Sequence, residues 1–149
     1  MTTYDFFIAG RWRAREAIRA VLDTVRAHGK TAYCFIENDY GGAAIGLGTD
    51  GDPEELMTRM EHLPPDHPLI RAIFARDMAA QRRARALLLV LPAGHAGHIE
   101  AGVAYGLGQP CYAIGPVDKT ETLYCIFDRI FDDVRALAAW LGGPGGCKS

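Results

Sequence analysis

Six consecutive apolar residues, Ala86-Leu87-Leu88-Leu89-Val90-Leu91, constrain this chain more than any other segment. The run has the length of a strand and falls far short of the roughly 20 residues a membrane span requires. It does not alternate with polar residues, so neither face of the strand is meant for water. Such a strand belongs in the middle of a parallel sheet covered by helices on both faces. Pro92 ends the run, and small residues follow through Gly97.

The flanking segments fit the same plan. Asp5 to Ala9 is a short apolar run stopped by Gly10, and reads as the first strand. Ala14 to His28 carries Ile18, Val21, Leu22 and Val25 at helical spacing, with Gly29 as a stop signal. Thr31 to Ile36 reads as a second strand, which completes a βαβ unit. Glu37 to Asp52 is a Gly- and Asp-rich loop of the length usually reserved for function. Pro53 opens a short helix through Met60. Leu69, Ile73, Phe74 and Met78 mark a longer helix reaching about Arg83. After the central strand, His98 to Leu107 reads as a helix closed by Gly108, and Pro110 to Ile114 as the next strand. Thr120 to Cys125 is expected to be a short helix, Arg129 to Phe131 a last short strand, and Val134 to Leu141 a final helix. The reading is one domain over residues 1–141 with a disordered tail from 142 to 149. It is a single flavodoxin-like, doubly wound α/β fold of about five parallel strands in the order 2-1-3-4-5, with helices on both faces.

Charge narrows the choice of partners. The formal net charge of -2 opposes a nucleic acid polymer or an anionic membrane as ligand. Met1 to Phe7 has an acid and no basic stretch, so no secretory leader is expected and the predicted location is cytoplasmic. Four cysteines occur without a CxxC pair. Cys34 and Cys111 fall in apolar runs and are expected to be reduced core residues.

Ligands of such sheets bind beyond the carboxyl ends of the strands. That directs attention to three loops, Gly10 to Arg13, Glu37 to Gly48, and Pro92 to Gly97. Gly94 lets a ligand approach the backbone, and the helix after it offers free N–H groups. Glu100 is expected in the first turn of that helix, where the dipole keeps a carboxylate ionised. An ionised carboxylate at a cleft suits nucleophilic attack on a sugar carbon; the plainer alternative is an acid that merely favours a helix N-terminus. His95 and His98 flank the same turn as candidate substrate contacts. Arg11 and Arg13 bracket Trp12, a pairing that fits a phosphate and a base, or an exposed basic turn with Trp12 as a lid. Asn38, with Glu37 and Asp39, follows the second strand and is a candidate for a base edge or a ribose hydroxyl. Tyr105 is expected to be packed.

The stretch from Leu91 to Pro110 resembles the nucleoside 2-deoxyribosyltransferase family, through Glu100, Gly102, Ala104, Gly108 and Pro110. Two further motifs resemble it in the same order. Ile73 to Met78, carrying Asp77, stands before Arg85-Ala86 and the apolar strand, and Phe7 to Gly10 precedes Arg11-Trp12-Arg13. The resemblance implies that Glu100 attacks C1′ of a (deoxy)nucleoside or nucleoside 5′-monophosphate and displaces the base. Asp77 would protonate the leaving group or orient Glu100. The glycosyl-enzyme would pass to water or to another base, without a cofactor. It also implies a homodimer or higher homo-oligomer, with Tyr124 to Phe131 as contact candidates. Many members carry an Asp in the loop that here holds His95 and His98, and a Tyr where this chain has Phe7. Those replacements favour a second reading, a non-catalytic nucleotide-binding or regulatory domain on the same scaffold. A third is an NAD-glycohydrolase-like activity.

A metal site is not expected. His95, His98 and Glu100 form H-x-x-H-x-E without a further evident ligand. His98-Ile99-Glu100 with Pro110-Cys111 matches half of the zinc-deaminase signature, but Ile114 stands where the second cysteine belongs. The segment after Phe7 to Ala9 lacks the G-x-G-x-x-G fingerprint, and no Walker A pattern occurs in the sequence.

Overall fold

The computed structural model describes residues 4–38 and 52–144. The chain divides into two compact units, Met1–Ile36 with Ala80–Ser149, and Glu37–Ala79.

The first unit is built on a five-stranded sheet: β1 (Tyr4–Ala9), β2 (Ala32–Cys34), β3 (Ala84–Val90), β4 (Cys111–Ile114) and β5 (Arg129–Phe131). Its order is β2-β1-β3-β4-β5 and every pairing is parallel, as the sequence predicts. β1 and β3 form the centre, with Phe6 opposite Ala86 and Ala9 opposite Leu89. The pleat explains why β3 carries no polar alternation. Ala86, Leu88 and Val90 join one apolar cluster, while Leu87, Leu89 and Leu91 join the other. Leu87, Leu88 and Leu89 are fully buried, each contributing about 1.5–3 kcal/mol of transfer free energy.

Each cluster has its own helices. Ile18, Val21, Leu22 and Val25 of α1 (Arg15–Ala27) fill the first cluster together with Leu137 and Leu141 of α5 (Val134–Gly142). The second cluster receives Ala101 and Ala104 from α4 (His95–Gly106), small residues that let the helix lie close to the sheet. Gly97 takes this further. A Cβ there would stand 2.9 Å from Leu89 Cδ1, so the glycine is a packing residue inside a helix. α4 therefore begins at His95, three residues earlier than the sequence suggests, and the preceding loop is correspondingly shorter.

Other boundaries move less. β2 ends at Cys34 and gives way to a 3-10 turn over Phe35–Glu37. The short helix expected at Thr120 is a 3-10 turn over Thr122–Ile126. α5 continues one residue past expectation, to Gly142. Asp133 caps it, its Oδ1 accepting from Ala136 N at 2.9 Å. Asp133→Ala should cost about 1 kcal/mol, read as a fall of about 3 °C in thermal unfolding; an unchanged melting temperature would show that the cap contributes nothing.

The second unit contains α2 (Pro53–Met60) and most of α3 (Pro68–Arg82). α2 starts and stops where its proline and cap predict. Asp52 Oδ1 accepts from Glu54 N at 3.0 Å, and Pro53 takes the first helical position. Arg59 and Glu55 pair at 2.7 Å along its exposed face. Asp39 and the loop over 41–51 lie outside the described residues.

Candidate active site

The strand order reverses between β1 and β3, and α/β sheets bind ligands at such a switch point. Two of the three predicted loops meet there. A Cβ on Gly97 would stand 3.6 Å from Gly10 N, so the first turn of α4 presses against the end of β1. Gly94 caps α4 in extended conformation without a side-chain bond. The next amides have no acceptor within the helix, because its first bond runs from His98 N to Gly94 O.

Glu100 lies on α4, half-buried, in the second turn. No acidic residue occupies the first turn. The expected dipole effect on Glu100 is therefore corrected, since that influence fades beyond the terminal turn. What fixes position 100 is a side chain the sequence did not point to. Gln81, fully buried, donates from Nε2 to the Glu100 carbonyl at 2.6 Å. Gln109 Nε2 in turn donates to the carbonyls of Gln81 and Ala84, at 2.8 and 3.0 Å. Two glutamines thus tie the end of α3, the start of β3 and the middle of α4 together.

His95 is the first residue of α4 and is exposed. His98 is half-buried, with both ring nitrogens engaged: Nδ1 lies 2.8 Å from Gly94 O, and Nε2 lies 3.0 Å from the Tyr124 hydroxyl. At the end of β1, Arg11 and Arg13 are exposed while Trp12 is half-buried. The cation over the indole is Arg15, 5.1 Å from the ring centroid, and Arg15 also donates to Trp12 O at 3.4 Å. The signal for Arg15 was its spacing, three residues after Trp12 at the opening of a helix. A cavity of about 390 Å³ lies here, lined by Trp12, Arg15, Glu16, Arg19 and Ile36. The Trp12 Nε1 is buried without a hydrogen-bond partner among the described residues.

Two predicted site residues belong to the second unit. Asp77 is half-buried on α3, one helical turn before Gln81, and Asn38 is half-buried after the 3-10 turn at Phe35–Glu37. Gly10, Arg11, Trp12, Arg13, Gly94, His95, His98 and Glu100 all belong to the first.

Cysteine chemistry has no foothold at β4. Cys111 is buried, with Sγ 3.4 Å from Gln109 O and 3.6 Å from Ala101 O. Burial, and then the Asp128 carboxylate, push its thiol up to about 11, so it stays protonated. Burial and the same carboxylate also raise Tyr112. Cys34 is buried as well, as expected for a core residue. Among the described residues no group of three or more His, Cys, Asp or Glu is arranged to hold a metal ion. No described helix is long and apolar enough to cross a membrane.

Two expectations about aromatic side chains are corrected. Tyr105 is 60% exposed rather than packed, because α4 turns its alanines and Gly97 to the sheet. Phe127 and Phe131, expected at a subunit contact, are core residues of the two clusters.

The fold is similar to that of a solved 2-deoxyribosyltransferase from the psychrotolerant bacterium Bacillus psychrosaccharolyticus. The TM-score is 0.61 at 16% sequence identity, and the match covers 89% of this chain and 89% of that chain. No protein-family model matches the sequence, and no curated protein does. The likeness is one of fold, a 2-deoxyribosyltransferase-like parallel α/β sheet.

Proposed function

We propose that this protein cleaves the N-glycosidic bond of a (deoxy)nucleoside or nucleoside 5′-monophosphate, with Glu100 as nucleophile. The observation that carries the reading is the half-buried carboxylate of Glu100 on the helix that opens at the switch point, its main chain held by Gln81. Glu100 attacks C1′ and the C1′–N bond breaks. The base leaves with a proton from the Asp77 carboxyl. The place of Asp77 ahead of Arg85-Ala86 and the apolar strand, as in the family motif it resembles, supports that role. The resulting glycosyl ester is then opened by water or by a second base, the two-step route of carboxylate nucleophiles. Trp12 offers a face to the base, and Arg11, Arg13 and Arg15 favour a substrate carrying a 5′-phosphate. Gly10, Gly94, His95 and Asn38 complete the proposed binding set, and His98, with both ring nitrogens engaged, supports the turn that carries Gly94 and His95.

The test is direct. The protein is incubated with purine and pyrimidine nucleosides, their deoxy forms and their 5′-monophosphates, and free base is followed by chromatography. Release from at least one substrate is expected, faster for the monophosphate. Adding a second free base separates transferase from hydrolase, because only a transferase returns a new nucleoside. Binding of nucleotides without release of any base would overturn the reading in favour of a non-catalytic nucleotide-binding domain. Nicotinamide release from NAD, with nucleosides untouched, would overturn it in favour of a glycohydrolase. We also propose a homodimer. The exposed Ile99 and Leu123 support an apolar subunit contact.

A further inference from the structure

The 3-10 turn Thr122–Ile126, which includes Tyr124 from the expected subunit-contact stretch, reaches α4. The rings of Tyr124 and His98 are stacked, with centroids 5.8 Å apart and planes within 8°. Tyr124 is itself fixed from behind by an edge contact to Phe127, a core residue, at 5.6 Å and 66°.

The hydrogen bonds of this pair determine a protonation pattern. His98 Nδ1 faces the Gly94 carbonyl at 2.8 Å. A carbonyl oxygen only accepts, so Nδ1 carries the hydrogen. In the neutral ring Nε2 is then a bare lone pair, and the Tyr124 hydroxyl, 3.0 Å away, must donate to it. Gly94 O thereby accepts from two atoms of one residue, His98 N at 3.3 Å and His98 Nδ1 at 2.8 Å. Without the tyrosine hydroxyl, only the Gly94 carbonyl holds the proton on Nδ1, and the Nε2–H form becomes accessible. The Nδ1 lone pair would then face the Gly94 carbonyl, acceptor against acceptor, and the first turn of α4 would loosen.

We propose that Tyr124 is a positioning residue: it locks His98 in the Nδ1–H tautomer, and His98 so held fixes the Gly94 carbonyl and the opening turn of α4. Neutral His98 has no spare ring N–H for a substrate and acts as a strut. The structural half of this proposal stands on the hydrogen bonds alone. Its catalytic consequence rests on the function proposed above, because the same helix carries Glu100.

Long-range proton–nitrogen correlation spectra of the histidine-labelled protein at a pH where His98 is neutral test it, with His98→Gln identifying the signal. Wild type should show a protonated Nδ1 and an unprotonated Nε2. Tyr124→Phe keeps the ring stack and the Phe127 contact and removes one hydroxyl. It should shift His98 toward the Nε2–H form and speed amide exchange at residues 95–97. It should also lower kcat for base release by about 10-fold, with KM little changed. A wild-type His98 protonated at Nε2 overturns the proposal, as does a Tyr124→Phe protein whose tautomer and exchange match wild type. If wild type releases no base from any substrate, the assignment of Glu100 fails, and the tautomer and exchange results still decide the role of Tyr124.

Discussion

With Glu100 as the proposed nucleophile, replacing it by Gln should lower the rate of base release by about 10³- to 10⁵-fold, equivalent to about 4–7 kcal/mol of activation free energy, and should leave the fold intact. The size of the loss follows from what the substitution removes. An amide has nearly the shape of the carboxylate but cannot form a glycosyl ester, so the two-step route closes and only slow direct attack by water remains. One contact that ties position 100 to its surroundings is made by the main chain and survives the substitution. Gln81 donates to the Glu100 carbonyl, which a side-chain change does not touch. The side chain itself is only half-buried. Base release by absorbance and thermal unfolding by circular dichroism check the two halves of this expectation. Intact mass of the wild-type protein, quenched during turnover, should show a pentosyl or phosphopentosyl adduct that maps to Glu100 after digestion. Activity of the Glu100→Gln protein within tenfold of wild type, or an adduct on another residue, would remove Glu100 from the chemistry.

What the sequence disclosed, and what it hid, divide along a physical line. Apolar runs and helical spacing report burial, and burial alone arranged the sheet. The unbroken Leu87-Leu88-Leu89 run demanded cover on both faces, and it has it. Ile18, Val21, Leu22 and Val25 identified the inner face of α1 because a 3.6-residue period leaves few alternatives. The start of α4 was obscured for a definite reason. Glycine usually signals irregular backbone, whereas Gly97 is there to let the helix press on Leu89. A helix starting at His98 would hold Glu100 in its terminal turn, whereas the start at His95 sets it one turn further in, where the dipole has faded. The contacts that hold the site were not legible at all. Gln81 and Glu100 are 19 residues apart, and His98 and Tyr124 are 26 apart. Local periodicity says nothing about which distant partner a buried amide or imidazole will find. Arg15 over Trp12 was within reach of sequence reasoning, since the spacing is local, but the more conspicuous Arg11 and Arg13 drew attention instead.

The largest loss of stability should come from a single methyl group at Gly115. This residue follows β4 with φ of +108°, a conformation that other residues rarely adopt, and a Cβ there would meet the Leu91 carbonyl oxygen at 2.8 Å. Both sides of the collision are held. Leu91 N donates to Ile114 O at 2.8 Å, and Gly115 N donates to Phe131 O at 3.0 Å. Neither backbone can yield without breaking a bond at the edge of the sheet. Gly115→Ala should therefore cost about 3 kcal/mol or more, part from the strained φ and part from the forced displacement, and lower the melting temperature by about 10 °C. Gly29→Ala is the control. Its φ is +74°, but no atom of the described residues lies within 4 Å of its Cβ, so only the strain remains, about 1 kcal/mol. The two variants should differ in activity as well. Leu91 immediately precedes the loop that delivers Gly94 and the opening turn of α4, so moving its carbonyl disturbs the candidate site, while Gly29 lies at the far end of α1. Thermal unfolding and base release measured on both proteins decide it. Equal melting temperatures for the two would mean that the sheet edge absorbs the extra methyl, and that the Leu91–Gly115 approach does not fix the loop above it.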